Sequence, residues 1–210
     1  MTYREVDMSE YPRKAHFEYF RSMPFPFFSV TVMVDVTRVL AFCRKRSCSF
    51  YTVFIHLVAR AANQVPEFRQ RIHEGKIREY ASCGTSHTEM TENGTYAYCT
   101  LYHQMDWDEY LSYAEQQRLQ CRHETVLEED AEVESMYFIS SLPWLHYTQL
   151  SMPSTGTDSN PQISWGKFAA NDAGKQIMPV TCQVHHALMD GFHVAEFYDS
   201  LNREIETLGS

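Results

Sequence analysis

The densest group of side chains that could do chemistry lies in residues 183–193, which read Gln-Val-His-His-Ala-Leu-Met-Asp-Gly-Phe-His. Three interpretations of this group compete. His185, His186, Asp190 and His193 could simply satisfy one another at a helix start, as buried polar groups usually do. Two of these histidines, His186 and His193, could instead bind zinc with Asp190, although the sequence offers no obvious fourth ligand nearby. In the third interpretation, an imidazole that titrates near neutrality accepts a hydroxyl proton while the carboxylate fixes the local geometry.

A strand and a helix must position this cluster. Residues 176–184 have the composition of a strand, and a set of apolar residues after the cluster recurs at helical spacing: Val194, Tyr198, Leu201, Ile205 and Leu208. We therefore expect the histidines at a strand-to-helix junction, a common place for a functional site. If the chain is already helical there, His186 and Asp190 lie one turn apart. Gly191 would then allow a backbone conformation or approach that a side chain forbids.

Other elements follow from periodicity. The clearest strand is 28–36, where Phe28 and four valines alternate with polar residues. Helices are predicted at 12–22, 37–46, 52–64 and from Asp106 to about residue 118, and further strands at 96–102, 135–141 and 162–169. Strands between helices, without regular alternation, favour an α/β fold, a two-layer sandwich of a mixed sheet with helices. No long linker separates two cores, so we expect a single domain over residues 1–210.

Composition narrows the possible functions. The chain has 210 residues, 44% of them hydrophobic, and a formal net charge of -9 from 18 basic and 27 acidic residues. This balance argues against a nucleic-acid partner. The six cysteines form no Cys-x-x-Cys pair and the chain has neither a signal-like start nor a long apolar run, which together favour reduced thiols and a cytoplasmic location without membrane contact. The acidic run 124–134 is expected to be a solvated loop.

The segment from His185 to Val194 resembles the His-His-x-x-x-Asp-Gly-Phe-His-Val signature of the chloramphenicol acetyltransferase family. Further similarities to that family lie at residues 11–17, 50–56, 66–69 and 140–144, in the same order and at similar intervals. The resemblance therefore covers essentially the whole chain. It implies a chloramphenicol acetyltransferase-like fold and an enzyme that moves an acetyl group from acetyl-CoA, as co-substrate, to a hydroxyl. It also implies a homotrimer with sites between subunits, no metal, and a role in antibiotic resistance.

The resemblance also implies roles for individual residues. His186 matches the family's general base, which removes the proton from the acceptor hydroxyl so that its oxygen attacks the thioester directly. Ser140 matches the serine that stabilises the oxyanion. Three residues are expected to support the site: Asp190 and Arg13 match a structural ion pair, and Ser164 falls where the family has a threonine that helps to hold a water molecule.

The expected binding residues are less clearly matched. Lys167 and Phe168 could line the CoA channel, although an ordinary place at a sheet edge is almost as good an interpretation. On the acceptor side the chain departs from the family. Tyr19 and Phe20 stand where the family has an aromatic pair ending in tyrosine, and Phe138 replaces a commonly polar residue. Chloramphenicol is therefore the expected acceptor, with another small alcohol or amine, or a catalytically idle oligomeric binding protein, as alternatives.

Overall fold

The computed structural model describes residues 1–123, 132–156 and 158–209 of the chain. The five helices among these residues are α1 (Lys14–Arg21), α2 (Thr37–Arg46), α3 (Phe50–Asn63), α4 (Trp107–Arg122) and α5 (Gly191–Glu206). Short 3-10 helices span Pro66–Arg69 and Val133–Ser135. The described strands are β1 (Tyr3–Glu5), β2 (Phe27–Asp35), β3 (Gln70–His73), β4 (Lys76–Tyr80), β5 (Gly84–Met90), β6 (Tyr96–Leu101), β7 (Met136–Leu142), β8 (Gln162–Gly166), β9 (Ala169–Ala170) and β10 (Gln176–His185).

The larger of the two sheets is a mixed sheet of seven strands. Its order is β2-β10-β8-β7-β5-β6, and β9 pairs with β10. Strand β7 runs parallel to both β5 and β8, whereas the other pairs are antiparallel. A second, antiparallel sheet has the order β1-β4-β3. The mixed sheet with five helices confirms the expected α/β class. In the second sheet, β3 and β4 are the short strands that the turn at Gly75 indicates from the sequence, whereas β1 has only three residues and was not predicted.

The two faces of the large sheet differ in chemistry because side chains alternate along each strand. Residues such as Val180, Cys182 and Ile163 point into one hydrophobic core together with α3 and α5. Helix α3 has ten buried residues, which explains its nearly continuous apolar sequence. The opposite face of the sheet carries polar residues, among them Ser140 and Ser164. This polar face holds much of the candidate site.

Most predicted elements are found with small shifts. Helix α4 runs to Arg122 instead of about residue 118, and the strand predicted over 162–169 is interrupted after Gly166. Of the acidic run expected to be a solvated loop over 124–134, residues 124–131 lie outside the described residues. Its end differs from that expectation, because Val133–Ser135 form a 3-10 helix and the half-buried Glu134 pairs with Arg78 at 3.2 Å. In the described ranges, none of the helices is long and apolar enough to cross a membrane. All six cysteines are free thiols, and five of them are buried.

Candidate active site

The histidine cluster sits in a turn between β10 and α5. Strand β10 ends at His185, and the backbone amide of His186 then donates a hydrogen bond to the carbonyl of Pro26 over 2.7 Å. Asp190 is the N-cap of α5: its backbone is extended, and its Oδ1 accepts a hydrogen bond from the amide of Phe192 at 3.0 Å. The chain is therefore not yet helical between His186 and Asp190, and the two do not lie one helical turn apart, because the aspartate caps the helix instead of joining it.

Gly191 is also not needed for the reason predicted from the sequence. Its φ is not in the left-handed region, and a methyl group added there would meet no atom within 4 Å in the described part of the chain. The expectation that Gly191 permits a close approach of the backbone is thus wrong within one copy of the protein. The sharp change from strand to helix comes from the capping interactions of Asp190 instead.

The imidazole of His186 is fixed by one hydrogen bond and two aromatic rings. Nδ1 lies 3.0 Å from the carbonyl oxygen of Met189. A carbonyl oxygen can only accept, so Nδ1 carries the hydrogen and Nε2 of the neutral ring keeps a free lone pair. The ring of Phe20 stacks on the imidazole at 3.8 Å with an angle of 10° between planes, and Phe28 lies 4.8 Å away. His186 is half-buried and held in one orientation with Nε2 available as a base.

His185, although adjacent in sequence, has a different environment. It is buried, and burial lowers its pKa to about 4. Its Nδ1 accepts a hydrogen bond from the amide of Ala187 at 3.2 Å, so this nitrogen is unprotonated. His185 is therefore a neutral structural residue of the turn, and the two histidines have separate tasks.

An ion pair between Arg13 and Asp190 braces the turn. Nη1 of Arg13 donates to Oδ2 of Asp190, joining the start of α1 to the start of α5. Burial raises the pKa of Asp190, but hydrogen bonds from Arg13 and the Phe192 amide outweigh it and bring the pKa below its ordinary value. The backbone amide of Asp190 donates to Nδ1 of His193 at 3.1 Å, which completes a capping box. Arg13, Asp190 and His193 thus form one support beneath the turn.

Ser140 lies on the polar face of the sheet, away from the histidine turn. On β7, it lines a cavity of about 280 Å³ together with Thr88, Tyr98, Phe138 and Met152. Register pairs Ser140 with Ser164 on β8, and Ser164 with Thr181 on β10. Ser164 is completely buried, and its hydroxyl donates to the sulfur of Met152 at 2.9 Å.

His186 and Ser140 do not meet within one copy. His186 comes five residues after Thr181, which corresponds to about 16 Å along the strand, and Ser140 lies two strands away, or about 10 Å. The two residues are therefore separated by roughly 19 Å, far more than a single reacting atom can bridge. His186 is not one of the described residues that line the Ser140 cavity.

A second cleft contains the two residues expected to bind CoA. It has a volume of about 470 Å³ and includes Lys167 and Phe168 with the indoles of Trp144 and Trp165. Lys167 is exposed, and its amide donates to the carbonyl of Leu145 at 2.7 Å. The ring of Phe168 lies 5.9 Å from that of Phe50. An exposed cation beside aromatic faces could hold an anionic ligand with a flat ring.

The three expected acceptor residues fall in two places. Tyr19 is 63% exposed and touches Phe20 edge to face at 5.1 Å. Phe20 stacks on His186, whereas Phe138 lines the Ser140 cavity. The structure thus brings Phe20 to the base and Phe138 to the serine, and it places Tyr19 at the rim of the histidine turn.

Sequence reasoning missed two polar groups of the site. Gln183 and Gln162, a cross-strand pair on the polar face, bind the backbone of the loop that carries Met152. The period-two pattern of β10 places Gln183 on the same face as Thr181, and this pattern was the available signal.

The second group lies next to Thr88, where the buried carboxylate of Glu89 receives two hydrogen bonds from Arg118 and two from Arg122. No local pattern indicates this pairing.

A metal site was one interpretation of the histidine cluster. Over residues 1–123, 132–156 and 158–209, no three histidine, cysteine, aspartate or glutamate side chains come close enough together to hold a metal ion. Instead, Nδ1 of His186 and Nδ1 of His193 each contact a backbone group of the turn.

Comparison with known proteins gives consistent results. Residues 1–202 match the family model described as chloramphenicol acetyltransferase. A chloramphenicol acetyltransferase of Escherichia coli is 33% identical over 207 residues, which cover 96% of this chain and 93% of that protein. One of Proteus mirabilis is 30% identical, with 94% and 92% coverage.

Similarity among solved structures supports the same fold. A structure of a chloramphenicol acetyltransferase superposes with a TM-score of 0.84, covering 97% of this chain and 100% of that chain at 24% identity.

Proposed function

The chain belongs to the chloramphenicol acetyltransferase family and is an acyltransferase, and we propose that it transfers the acetyl group of acetyl-CoA to a hydroxyl of chloramphenicol with His186 as the general base. The observation that carries the role of His186 is its hydrogen bond to the Met189 carbonyl. That bond leaves Nε2 as the free acceptor, and the stacked ring of Phe20 holds it in place.

The transfer has two steps, the formation of a tetrahedral intermediate and its breakdown. Nε2 of His186 takes the proton of the acceptor hydroxyl while the oxygen forms a bond to the thioester carbonyl carbon. The tetrahedral intermediate then expels the CoA thiolate, which receives the proton back from the imidazolium. The products are the acetyl ester and CoA, and no acyl-enzyme forms. No metal is required, because the base and the oxyanion donor are side chains of this protein.

Ser140 is proposed to stabilise the oxyanion through its hydroxyl. Ser164 lies beside Ser140 on the neighbouring strand β8, and its hydroxyl donates to the sulfur of Met152 in the wall of the same cavity. Arg13 and Asp190 keep the histidine turn in its geometry and do not exchange protons with substrate. This division of tasks agrees with the ion pair on one side and the open cavity on the other.

Substrate binding is assigned to the two cavities. Acetyl-CoA would lie in the cleft of Lys167 and Phe168, where the ammonium can meet a phosphate and the ring can stack on adenine. Chloramphenicol would contact Phe138 beside Ser140, and Tyr19 and Phe20 beside His186. Thr88 lines both cavities, so the two substrates would approach each other there.

The separation of His186 from Ser140 leads us to propose a homotrimer with shared sites. If a neighbouring copy supplies the histidine, the missing base enters the Ser140 cavity. Large apolar side chains near the histidine turn support an interface, since Tyr19, Phe25 and Phe192 are 63%, 53% and 68% exposed. Each chain would contribute a single domain over residues 1–210, built around one core cluster. The free, mostly buried thiols fit a cytoplasmic enzyme.

The proposal is tested by thiol release from acetyl-CoA in the presence of chloramphenicol, with His186→Ala and the exposed His123→Ala as matched variants. We expect turnover by the wild type and by His123→Ala, and near-complete loss in His186→Ala with CoA binding retained. Transfer to other alcohols or amines but not to chloramphenicol would replace the acceptor. Silence with a broad panel would favour a binding protein. Loss of trimer and CoA binding in His186→Ala would make this residue architectural.

A further inference from the structure

The loop before β8 crosses the polar face of the sheet, and its backbone is held by glutamine side chains. Residues 151–155 have no regular secondary structure, yet Met152 and Pro153 both line the Ser140 cavity. Irregular backbone needs partners for its polar groups when it is buried against a sheet. In this loop those partners come from β8 and β10.

Gln183 binds Met152 in the manner of a neighbouring strand. The amide of Met152 donates to Oε1 of Gln183 at 3.0 Å, and Nε2 of Gln183 donates to the carbonyl of Met152 at 3.0 Å. One side chain thus satisfies both backbone groups of one residue. Gln183 is only 1% exposed and Met152 is half-buried, so water has limited access to these bonds.

A second glutamine completes the arrangement. Gln162, opposite Gln183 in the sheet, accepts a hydrogen bond from Nε2 of Gln183 at 3.1 Å through its own Oε1. Its Nε2 donates to the carbonyl of Pro153 at 3.0 Å. The oxygen of Gln183 receives a further bond from the Ser29 hydroxyl at 3.4 Å. The amide groups are therefore fixed in one orientation, because a flip of either would place donor against donor or acceptor against acceptor.

The consequence for the site lies in the side chain of Met152. Its sulfur accepts a hydrogen bond from the Ser164 hydroxyl at 2.9 Å. Ser164 is the residue on β8 that pairs with Ser140 on β7. The thioether therefore forms part of the wall of the cavity beside the proposed oxyanion donor. Methionine is flexible on its own, so its position depends on a fixed backbone.

From these contacts we propose that Gln183 is a positioning residue for the acceptor: through the backbone of Met152 it sets the wall of the acceptor cavity and so controls how tightly the acceptor binds. This inference rests on the proposed function, which places chloramphenicol in that cavity. Gln183 touches no reacting atom itself. It acts from the strand that also ends in the histidine turn, three residues before His186.

The test uses Gln183→Met, which keeps the length of the side chain and removes its amide, with Gln116→Met on the exposed face of α4 as the control. We expect the KM for chloramphenicol to rise about tenfold in Gln183→Met, as for the loss of one or two buried hydrogen bonds. The KM for acetyl-CoA should change less than about twofold, because neither Gln183 nor Met152 lines the cleft of Lys167 and Phe168. An equal rise in both values, or no rise for chloramphenicol, would overturn the proposal.

A double-mutant cycle shows whether Gln183 acts through Met152. If it does, Gln183→Met combined with Met152→Ala should bind chloramphenicol no more weakly than Met152→Ala alone. Additive effects would mean that Gln183 has a general structural role. Should Gln183→Met fail to fold, Gln162→Met removes the adjoining bond to Pro153, and the same shift in the acceptor KM alone is expected. An unchanged acceptor KM in that variant would then contradict the proposal.

Hydrogen exchange separates this inference from the proposed function. The amide of Met152 should be protected in the wild type and in Gln116→Met, and should exchange at least about tenfold faster in Gln183→Met. A wild type that is inactive towards chloramphenicol but protects this amide would remove only the function. An amide that exchanges equally fast in all three proteins would contradict the positioning role, whatever the activity.

Discussion

The exposed fractions of the Arg13 and Asp190 side chains predict how strongly their ion pair stabilises the protein. The two side chains are 15% and 37% exposed, so the pair is neither a surface pair nor a fully buried one. Exposed pairs contribute about 0.2–1 kcal/mol, and loss of one partner of a buried pair costs about 3–5 kcal/mol. We therefore expect a coupling free energy of about 1–2 kcal/mol between the two residues.

The substitutions must separate the charge of Asp190 from its role as a helix cap. Asp190→Asn keeps a good N-cap and removes the charge, whereas Asp190→Ala removes both and should cost about 1 kcal/mol more. A cycle of Arg13→Met, Asp190→Asn and the double variant, measured by urea unfolding at fixed protein concentration, gives the coupling. Turnover should fall in parallel, since the Met189 carbonyl that orients His186 directly precedes Asp190.

The pH dependence of this coupling provides an internal check. Because the pKa of Asp190 is lowered in the folded protein, its pair stabilises the protein above the unfolded pKa of about 3.9. That contribution is lost as the pH falls through the folded pKa. Additive single effects at neutral pH, with a coupling below about 0.3 kcal/mol, would refute the reasoning.

Three further predictions concern other parts of the molecule. Ser140→Ala should lower kcat about a hundredfold, whereas the exposed Ser112→Ala on α4 should not; steady-state kinetics decide between them, and equal activity would remove the oxyanion role. Gly166→Ala should lower the free energy of unfolding by about 1–3 kcal/mol, because its methyl group would lie 2.4 Å from the Leu145 carbonyl oxygen. Gly191→Ala is the control, and equal stabilities of the two variants would contradict the close packing around Gly166. Burial lowers the pKa of His56 to about 3 and those of His87, His103 and His185 to about 4, so the unfolded chain takes up more protons below its histidine pKa of about 6.5. Stability should therefore fall between pH 6.5 and 4, by up to about 1.4 kcal/mol per pH unit for each histidine, and urea midpoints that stay constant over this range would contradict it.

Periodicity predicted those elements that have one continuous apolar face. The strand predicted at 28–36 is found at Phe27–Asp35, and the helix predicted at 37–46 has the same bounds in the structure. Local capping also indicated the start of α4, where the carboxylate of Asp106 accepts from the Glu109 amide at 2.9 Å. The last turn of α4 was not predicted, and in that turn Arg122 donates hydrogen bonds to Glu89 on β5.

The candidate site was only partly predictable from the sequence. Matching of motifs indicated His186 and Ser140 and, through the resemblance, sites between subunits. The separation of roughly 19 Å within one copy depends on sheet order and register, which no motif reports. The spacing of His186 and Asp190 permits a helical turn after β10 but does not require one. Capping by Asp190 decided otherwise. The contacts of Gln183 with Met152 join residues 31 positions apart, which no local pattern reports.

The central claim is that one active site takes His186 from one copy and Ser140 from its neighbour. It is tested most directly by refolding a 1:1 mixture of inactive His186→Ala and inactive Ser140→Ala chains and measuring acetyl transfer to chloramphenicol. With random assembly into rings of three, about a quarter of the sites should pair an intact histidine with an intact serine, so about a quarter of wild-type activity should return. Light scattering should give a mass near three times 24.6 kDa. A refolded mixture that stays inactive, or a fully active monomer, would contradict the claim.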